Sequence, residues 1–364
     1  MKVAIIGTVG VPANYGGFET LVEQLVRHNQ NEELQYAVYC SKKSYNDQRW
    51  VYHGAKTEYV GLSANGIQSI PYDILSLVKA ARNSDVILIL GVSGCAFLPV
   101  FRLFSKKKLV INIDGLEHRR DKWNKWIRRF LKFSEKQAVK YGDVIVTDNK
   151  GITDYVKEEY NKPSELIAYG GDHVLTHVDE SFTGKVLKDY NLTRNDYALG
   201  ICRIEPENNV HIILEAFESA RKKIVFIGNW QKSEFGRKLA DKYKNSDYVK
   251  ITPAVYDLDV LNVLRSNCSI YLHGHSAGGT NPSLVEAMFF EKPIIAFDCV
   301  YNRESTENRA CYFSSVKELV NILNDSEIDL GDNAASMLKI ADRCYRWETI
   351  ARQYEKLYGI EKFV

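Results

Sequence analysis

Several features that would place this chain in a familiar class are missing from its sequence. The 48 basic and 46 acidic residues nearly cancel to a net charge of +2, so any electrostatic signal must be local. The seven cysteines are scattered, odd in number and contain no C-x-x-C pair, which favours reduced cytosolic thiols over a disulfide framework. No apolar run approaches the roughly 18 residues that span a bilayer, and the run before Gly7 is too short for a signal peptide. We therefore expect a cytoplasmic protein that is at most peripherally bound to a membrane.

The length of the chain and the order of its strand and helix patterns predict two α/β domains. A chain of 364 residues exceeds one ordinary domain, and 45% hydrophobic with 26% charged residues is typical of globular proteins. Short runs rich in Val and Ile alternate with helical patterns, as in doubly wound sheets whose parallel strands are covered on both faces. The predicted strands are 2–7, 34–40, 85–90, 108–113 and 143–147 in the first half, and 197–202, 223–228, 248–252, 268–273 and 293–298 in the second.

A glycine pair at 170–171 follows a short strand pattern and marks the expected join between the domains. We therefore expect a first domain at 1–170, a second at 171–344 and a last segment at 345–364. The helical pattern at 345–358 has no strand after it. This final helix is expected to pack back on the first domain.

A glycine-rich loop, "GTVGVPANYGGFET" at 7–20, joins the first strand to the first helix pattern. Its spacing matches neither the dinucleotide G-x-G-x-x-G nor the P-loop, and no lysine closes it. Glycines nevertheless let main-chain N–H groups approach an anion, and the first N–H groups of the next helix point the same way. We expect phosphate to bind at Gly16 and Gly17, with an ordinary strand-to-helix turn as the alternative.

Two further motifs follow strands of the second half. In "ICRIEPENN" at 201–209, Arg203 ends a strand, where an arginine faces the ligand crevice of such a sheet or makes a surface ion pair. In "HGHSAGGTNPSLVEAM" at 273–288, Asn281 is a predicted N-cap and Pro282 suits the first helical turn. Glu286 follows and could accept hydrogen bonds from ribose hydroxyls. His273 and His275 would point to opposite faces of a continued strand, which disfavours a zinc site.

Taken together, these motifs resemble the retaining glycosyltransferases of family 4, over the whole chain. The closest resemblance is to bacterial rhamnosyltransferases of polysaccharide assembly, which begin with a nearly identical "GTVGVPANYGGFET". It implies the GT-B fold, in which two Rossmann-like domains face each other across a cleft and a C-terminal helix crosses back. It also implies that Gly16 and Gly17 bind donor phosphate, Arg203 neutralises the diphosphate and Glu286 binds the ribose. The other implied donor-binding residues are Asn208, His275, Gly279, Thr280, Asn281, Ser283 and Leu284.

The sequence departs from that family at two positions. Asn208 stands where the family often has a lysine, so one cation at the diphosphate is missing or comes from elsewhere. Gly278 or Gly279 stands where many members have a glutamate that contacts the donor sugar. The missing carboxylate is consistent with a donor that has different hydroxyl groups, such as a 6-deoxy sugar.

Three polar residues follow the strand at 108–113, at the edge where a ligand is expected. They are Asp114, Glu117 and His118. The resemblance implies that a histidine in this loop contacts the donor sugar, and these three are the catalytic candidates. The alternative is that they cap the loop and are solvated.

From 119 to 140 the chain has nine basic and two acidic residues, interspersed with aromatic ones. This pattern predicts an amphipathic helix on an anionic membrane surface. The expected contact residues are Trp123, Lys125, Trp126, Arg129 and Lys132. The alternative is an ordinary helix with an apolar face in the core and a solvated basic back.

The main hypothesis is a retaining glycosyltransferase that transfers L-rhamnose from dTDP-β-L-rhamnose to a polyprenyl-diphosphate-linked GlcNAc or Glc at the membrane. The donor and acceptor are implied by the resemblance alone. Alternatives are a UDP- or GDP-sugar donor, a GT-B epimerase, a non-catalytic nucleotide-sugar binding protein, or a nicotinamide dehydrogenase, whose fingerprint is missing. Asp257 and Asp259 form a D-x-D pair before a helix, where capping is favoured over metal binding. We expect neither a metal or other cofactor nor a nucleic-acid partner.

Overall fold

The computed structural model describes residues 1–13, 16–113, 115–119, 124–325 and 330–359. The chain divides into two compact units. The first contains residues 1–169 and the C-terminal segment from 347, and the second contains residues 170–346.

The first unit is an eight-stranded sheet with helices between its strands. Its elements up to residue 169 are β1 Lys2–Ile6, α1 Gly17–Arg27, β2 Gln35–Ser41, β3 Val51–Tyr52, β4 Ala55–Val60, α2 Ser69–Asn83, β5 Val86–Leu90, α3 Leu98–Phe104, β6 Lys108–Ile113, α4 Lys125–Tyr141, β7 Val144–Thr147, α5 Lys150–Tyr160 and β8 Glu165–Leu166. The strand order is β3-β4-β2-β1-β5-β6-β7-β8, and every pair is parallel except β3 with β4. The carboxyl ends of the parallel strands therefore meet at one edge.

The second unit is a six-stranded parallel sheet built on the same plan. Its elements are α6 Glu180–Asp189, β9 Ala198–Ile201, α7 Val210–Ala220, β10 Ile224–Ile227, α8 Glu234–Tyr243, β11 Val249–Thr252, α9 Leu258–Ser266, β12 Ile270–His273, α10 Pro282–Met288, β13 Ile294–Phe297, α11 Val300–Ser305, β14 Cys311–Phe313, α12 Val316–Asn324 and α13 Leu330–Cys344. The strand order is β11-β10-β9-β12-β13-β14. Because β9 and β12 are neighbours, the loops that follow them lie at the same edge.

The C-terminal helix α14, Trp347–Tyr358, packs on the first unit. Trp347, Ile350 and Tyr354 are buried in the same apolar cluster as β1, β2 and β5. The Asn112 side chain of β6 donates a hydrogen bond from Nδ2 to the Tyr354 hydroxyl at 2.6 Å. Burying each large side chain contributes about 1.5–3 kcal/mol, so this helix is an integral part of the first unit's core.

The α/β fold class with two parallel sheets is confirmed, and all ten predicted strands are present. Four strands were not predicted. In β4, which pairs with the edge strand β3, the side chains alternate between buried and exposed, so its sequence has no continuous apolar run. The strands β3, β8 and β14 have only two or three residues. Such strands are too short to give a hydrophobic pattern.

Among the residues that the structure describes, no helix is both long and apolar enough to cross a membrane. Asp257 caps α9, with its carboxylate accepting hydrogen bonds from the main-chain N–H groups of Asp259 and Val260. The prediction of a cap for this D-x-D pair is therefore confirmed.

Candidate functional site

The loop between β1 and α1 is held by two carboxylates from α1. Glu19 accepts hydrogen bonds from the Thr8 hydroxyl at 3.1 Å and from the Val9 N–H at 2.9 Å. One turn further along, Glu23 accepts the Ala13 N–H at 2.6 Å. The first half of the loop is thus fixed before any ligand binds. Residues 14 and 15 lie outside the described part of the chain.

Gly16 is the residue that precedes α1, and Gly17 is the first residue of that helix. Gly16 has φ +135°, and a Cβ there would lie 2.1 Å from the Glu19 Oε2. The backbone conformation therefore favours glycine, and a larger residue would also displace the Glu19 carboxylate that holds the loop. Gly7 has a different role, because a Cβ at this position would lie 2.1 Å from the Leu90 main-chain oxygen of β5. Gly7 allows the turn to pack against the sheet.

Arg203 lies in the loop after β9 and is partly buried. Its main-chain oxygen accepts hydrogen bonds from Asn208 Nδ2 at 2.6 Å and from the Glu205 N–H at 3.0 Å. The loop conformation around Arg203 therefore depends on Asn208. Only 2% of Asn208 is exposed. In this structure the amide is buried within the protein and holds the main chain of Arg203, and the assignment of Asn208 to the donor site stays a prediction.

The loops after β9 and β12 are joined by side-chain and main-chain hydrogen bonds. The Asn208 Oδ1 lies 2.6 Å from His275 Nδ1, and Asn209 Nδ2 donates to the Gly274 oxygen at 2.9 Å. The Ser276 N–H and hydroxyl both donate to the Glu207 oxygen at 2.9 Å. His275 is itself buried. The His275 side chain thus helps to hold these two loops together.

The strand β12 ends in His273, which is buried against the sheet. Burial, and to a smaller extent the nearby His275 ring, lower the pKa of its imidazole to about 3. The ring centroids are 6.3 Å apart. His273 is therefore neutral at physiological pH and adds no positive charge for an anionic ligand.

The N-terminus of α10 has the predicted capping arrangement. The Asn281 Oδ1 accepts hydrogen bonds from the Ser283 N–H at 3.0 Å and from the Ser283 hydroxyl at 2.9 Å, and Pro282 is the first helical residue. The Leu284 side chain is fully buried, and its N–H donates to the Asn281 oxygen at 3.0 Å. The Leu284 side chain belongs to the core, so Leu284 can frame the predicted phosphate loop only through its main chain, and this role stays a prediction. Gly279 and Thr280 lie in the loop just before this cap.

Glu286 is held in place by two partners in the second unit. The Arg265 Nη2 donates to its Oε2, and its Oε1 lies 3.6 Å from His173 Nε2. Arg265 is almost fully buried, and its Nε and Nη1 have no hydrogen-bond partner among the described residues. The buried Arg265 guanidinium thus balances the charge of the Glu286 carboxylate, which itself remains partly exposed. The sequence motif did not reveal Arg265 or His173, since both are distant along the chain.

In the first unit, Glu117 and His118 form a short 3₁₀ turn at residues 117–119 after β6. His118 Nδ1 lies 2.9 Å from Oε2 of Glu135, a buried carboxylate on α4. Glu117 is the first residue of that turn. Asp114, the third predicted catalytic residue, lies outside the described residues. Sequence reasoning also missed Glu135, although it is the one acidic residue of the α4 sequence.

The helix α4 has a buried face, which includes Leu131, Ala138 and Val139, and an exposed face with aromatic and basic side chains. Its contact with a membrane stays a prediction. Trp126 is 76% exposed and Phe133 is also exposed, so these two aromatic side chains lie outside the core. Arg129 lies over the Trp126 ring at 5.5 Å. Lys132 pairs with Glu159 at 2.9 Å and is partly buried, so it is less available to a lipid headgroup than the exposed Lys125 and Arg129. Trp123 lies outside the described residues.

Comparisons with known protein families follow the division into two units. Residues 1–172 match a family model described as a domain of unknown function, DUF1972. Residues 188–327 match the family of glycosyl transferases group 1. This second match contains Arg203, the loop that follows β12 and the start of α10 with Glu286. A comparison with curated proteins gives no match.

Solved structures similar to this chain have the GT-B fold. Sucrose-phosphate synthase from Thermosynechococcus elongatus is 15% identical, with a TM-score of 0.80 over 98% of each chain. HepE from Anabaena in complex with UDP is 16% identical, with a TM-score of 0.77 over 99% of this chain and 100% of that one. The catalytic domain of starch synthase IV from Arabidopsis thaliana, bound to ADP and acarbose, has a TM-score of 0.70 over 98% of each chain at 13% identity. With the family match, these similarities support a GT-B glycosyltransferase.

Proposed function

We propose that this protein is a retaining glycosyltransferase that moves a sugar from a nucleotide diphosphate to an acceptor hydroxyl. The proposal rests on Arg203, in the loop after β9, and on Glu286, in the helix α10 that follows β12, since β9 and β12 are neighbouring parallel strands of one sheet. The planar fork of an arginine suits diphosphate oxygens, and a fixed carboxylate suits ribose hydroxyls. The match of residues 188–327 to a glycosyltransferase family supports the same assignment.

The proposed donor is dTDP-β-L-rhamnose, which would give a β-linked rhamnose. The "GTVGVPANYGGFET" stretch supports this donor through its resemblance to rhamnosyltransferases. The glycines at 278 and 279 also support this donor. At this position many members of the resembled family have a glutamate that contacts the donor sugar, and this chain has no carboxylate there. HepE has been solved with UDP and with UDP-glucose, so UDP-sugars are the main competing donors.

The proposed acceptor is a GlcNAc or Glc linked to a polyprenyl diphosphate, which would bring the enzyme to the cytoplasmic face of the membrane. The exposed Trp126 with Lys125 and Arg129 supports this location. On the neighbouring helix α3, Leu103 is 84% exposed and Phe104 is also exposed. Apolar side chains beside cations favour the interface of an anionic bilayer.

The chemistry follows from where charge develops. As the bond between the sugar and the diphosphate breaks, negative charge grows on the leaving diphosphate, and a nearby Arg203 guanidinium would stabilise it. The acceptor oxygen attacks the anomeric carbon from the same face, and its proton passes to the leaving diphosphate. Main-chain N–H groups at Gly16 and Gly17 are proposed to bind phosphate in the first unit. This scheme requires no metal.

Nucleotide binding is the first experiment, because it needs no acceptor. Isothermal titration with dTDP, UDP, GDP and NADH should show binding of a nucleoside diphosphate and no binding of NADH. Arg203→Ala should weaken that binding by about 10- to 100-fold, as expected for loss of a charge-assisted contact. Lys244→Ala, which changes an exposed cation before β11, is the matched control and should bind as the wild type does. Equal affinity for wild type and Arg203→Ala would refute the role of Arg203.

A further inference from the structure

Glu135 is an acidic side chain placed where a helix normally has an apolar one. It lies on the face of α4 that carries Leu131 and Ala138, and only 2% of its side chain is exposed. Burying a carboxylate without partners would be costly. Its partners therefore show what the carboxylate does.

Three side chains direct hydrogen bonds to this carboxylate. Tyr155 and Tyr160 of α5 each donate from the hydroxyl to Oε1 at 2.6 Å, and His118 Nδ1 lies 2.9 Å from Oε2. Lys132 lies 3.5 Å from Oε1 and also donates to the Tyr155 hydroxyl. Because that hydroxyl accepts from Lys132, its own proton is directed at Glu135. Both carboxylate oxygens are thereby fixed.

Glu135 remains ionised in this setting. Burial acts to raise the pKa of its carboxyl, but the hydrogen bonds from His118, Tyr155 and Tyr160 outweigh burial and lower it. An ionised carboxylate can only accept hydrogen bonds. The hydrogen between Glu135 and His118 therefore belongs to His118 Nδ1.

This assignment determines the chemistry of the other ring nitrogen. In a neutral imidazole, a hydrogen on Nδ1 leaves a lone pair on Nε2. The His118 side chain is 13% exposed, and among the described residues no hydrogen bond is made at its Nε2. The ring also lies beside Tyr155, with the ring centroids 6.1 Å apart. His118 thus has a fixed orientation, and its Nε2 is an acceptor to which no described residue donates.

We propose that Glu135 is a positioning residue that holds His118 as the Nδ1–H tautomer, so that Nε2 accepts a hydrogen bond from a sugar hydroxyl of the substrate. This inference rests on the proposed transferase function for the identity of the hydroxyl. The pairing of a buried acid with a histidine is a property of the first unit alone. It goes beyond the resemblance, which suggests a contact between the histidine and the donor but says nothing of what orients the ring.

The tautomer can be measured without turnover. Protein labelled with ¹⁵N-histidine is recorded by long-range ¹H–¹⁵N NMR at a pH where the ring is neutral, and His118→Gln identifies the resonance. We expect a protonated Nδ1 and an unprotonated Nε2 in wild type, and loss of that preference in Glu135→Gln. The control Tyr160→Phe removes one hydrogen bond to Glu135 but keeps the contact between Glu135 and His118. The His118 tautomer in this variant should therefore match wild type. A protonated Nε2 in neutral wild-type His118 would overturn the proposal, whether or not the variants fold.

Kinetics distinguish positioning from general stability. With a donor and acceptor that turn over, Glu135→Gln should lower kcat/KM by about 3- to 10-fold, the effect of one weakened hydrogen bond to the substrate. In a His118→Ala background the same substitution should have little further effect. His118→Ala should raise the KM of either donor or acceptor, and the affected substrate identifies which one supplies the hydroxyl. An equal loss from Glu135→Gln in both backgrounds, or no change in either KM, would overturn the proposal.

These readouts also separate this inference from the proposed function. If no nucleotide sugar is transferred by the wild type, the transferase assignment fails, while the NMR experiment still tests the pairing of Glu135 with His118. If transfer is observed but Glu135→Gln leaves both the tautomer and the rate unchanged, the positioning role fails and the transferase assignment stands.

Discussion

Replacing Asn208 by leucine tests whether this buried amide builds the site in the second unit. The substitution keeps a similar volume but removes two 2.6 Å contacts, one to the Arg203 oxygen and one to His275 Nδ1. The Arg203 oxygen keeps the Glu205 N–H as a donor, whereas the His275 nitrogen loses its contact with the Asn208 amide. A buried polar group without its partner costs about 1–3 kcal/mol, and the lost hydrogen bond to Arg203 adds about 0.5–1.5 kcal/mol.

The expected destabilisation of Asn208→Leu is therefore about 2–4 kcal/mol, which corresponds to a lowering of Tm by roughly 5–12 °C for a unit of this size. Differential scanning calorimetry should place the shift in the transition of the second unit. Nucleoside diphosphate affinity should fall as well, since the loop around Arg203 loses its anchor. The control Asn245→Leu, at an exposed position, should leave both unchanged. An unaltered Tm for Asn208→Leu would refute the structural role assigned to this amide.

Three further predictions concern other parts of the molecule. Gly16→Ala should weaken binding of nucleoside diphosphates in titrations, because a residue with a Cβ is strained at φ +135° and would displace the Glu19 carboxylate that holds the loop. Gly184→Ala, with open space around its Cβ position, is the control and should bind normally. Tyr354→Phe should lower the stability of the first unit by about 1–2 kcal/mol in urea denaturation, since Asn112 Nδ2 loses its acceptor; an unchanged midpoint would contradict this. Replacing Lys125 and Arg129 together by glutamine should reduce sedimentation with anionic vesicles, most strongly at low salt; equal binding of the variant would refute a lipid contact by α4.

The sheets could be predicted from the sequence because parallel strands covered on both faces are nearly continuous apolar runs. The run at 85–90 and the run at 108–113 each became a buried central strand. The strand at 55–60 escaped prediction because its side chains alternate between buried and exposed. Its pairing with β2 is set by tertiary contacts, and a window of sequence does not contain them.

The individual site residues were harder to predict. Asn281 follows a local rule, since an asparagine before Pro282 caps the helix through atoms two residues away. Asn208 does not, because its partner His275 is 67 residues away along the chain. In the sequence, Asn208 was notable only because it stands where the resembled family often has a lysine. The structure shows the same residue as a link between two loops.

Glu135 shows the same limit in the first unit. Within the sequence it is one acidic residue in a basic helix, a pattern typical of a solvated face. Its role depends on two tyrosines of α5 and on a histidine 17 residues earlier, which the fold brings to one carboxylate. A periodicity argument identifies the face on which Glu135 lies but not its partners. That part of the site required the three-dimensional structure.

The most direct test of the central claim is a transfer assay with purified protein, a synthetic polyprenyl diphosphate carrying GlcNAc or Glc, and single nucleotide sugars, with and without EDTA. Mass spectrometry of the lipid product should show the addition of one deoxyhexose with dTDP-β-L-rhamnose, unaffected by EDTA, and NMR of the new linkage should show the anomeric configuration of the donor. Arg203→Ala should abolish most of the product, and Lys244→Ala should not. Transfer from a UDP- or GDP-sugar instead would correct the donor while keeping the enzyme class. Release of an altered sugar without acceptor, or nucleotide binding with no transfer from any donor, would contradict a glycosyltransferase.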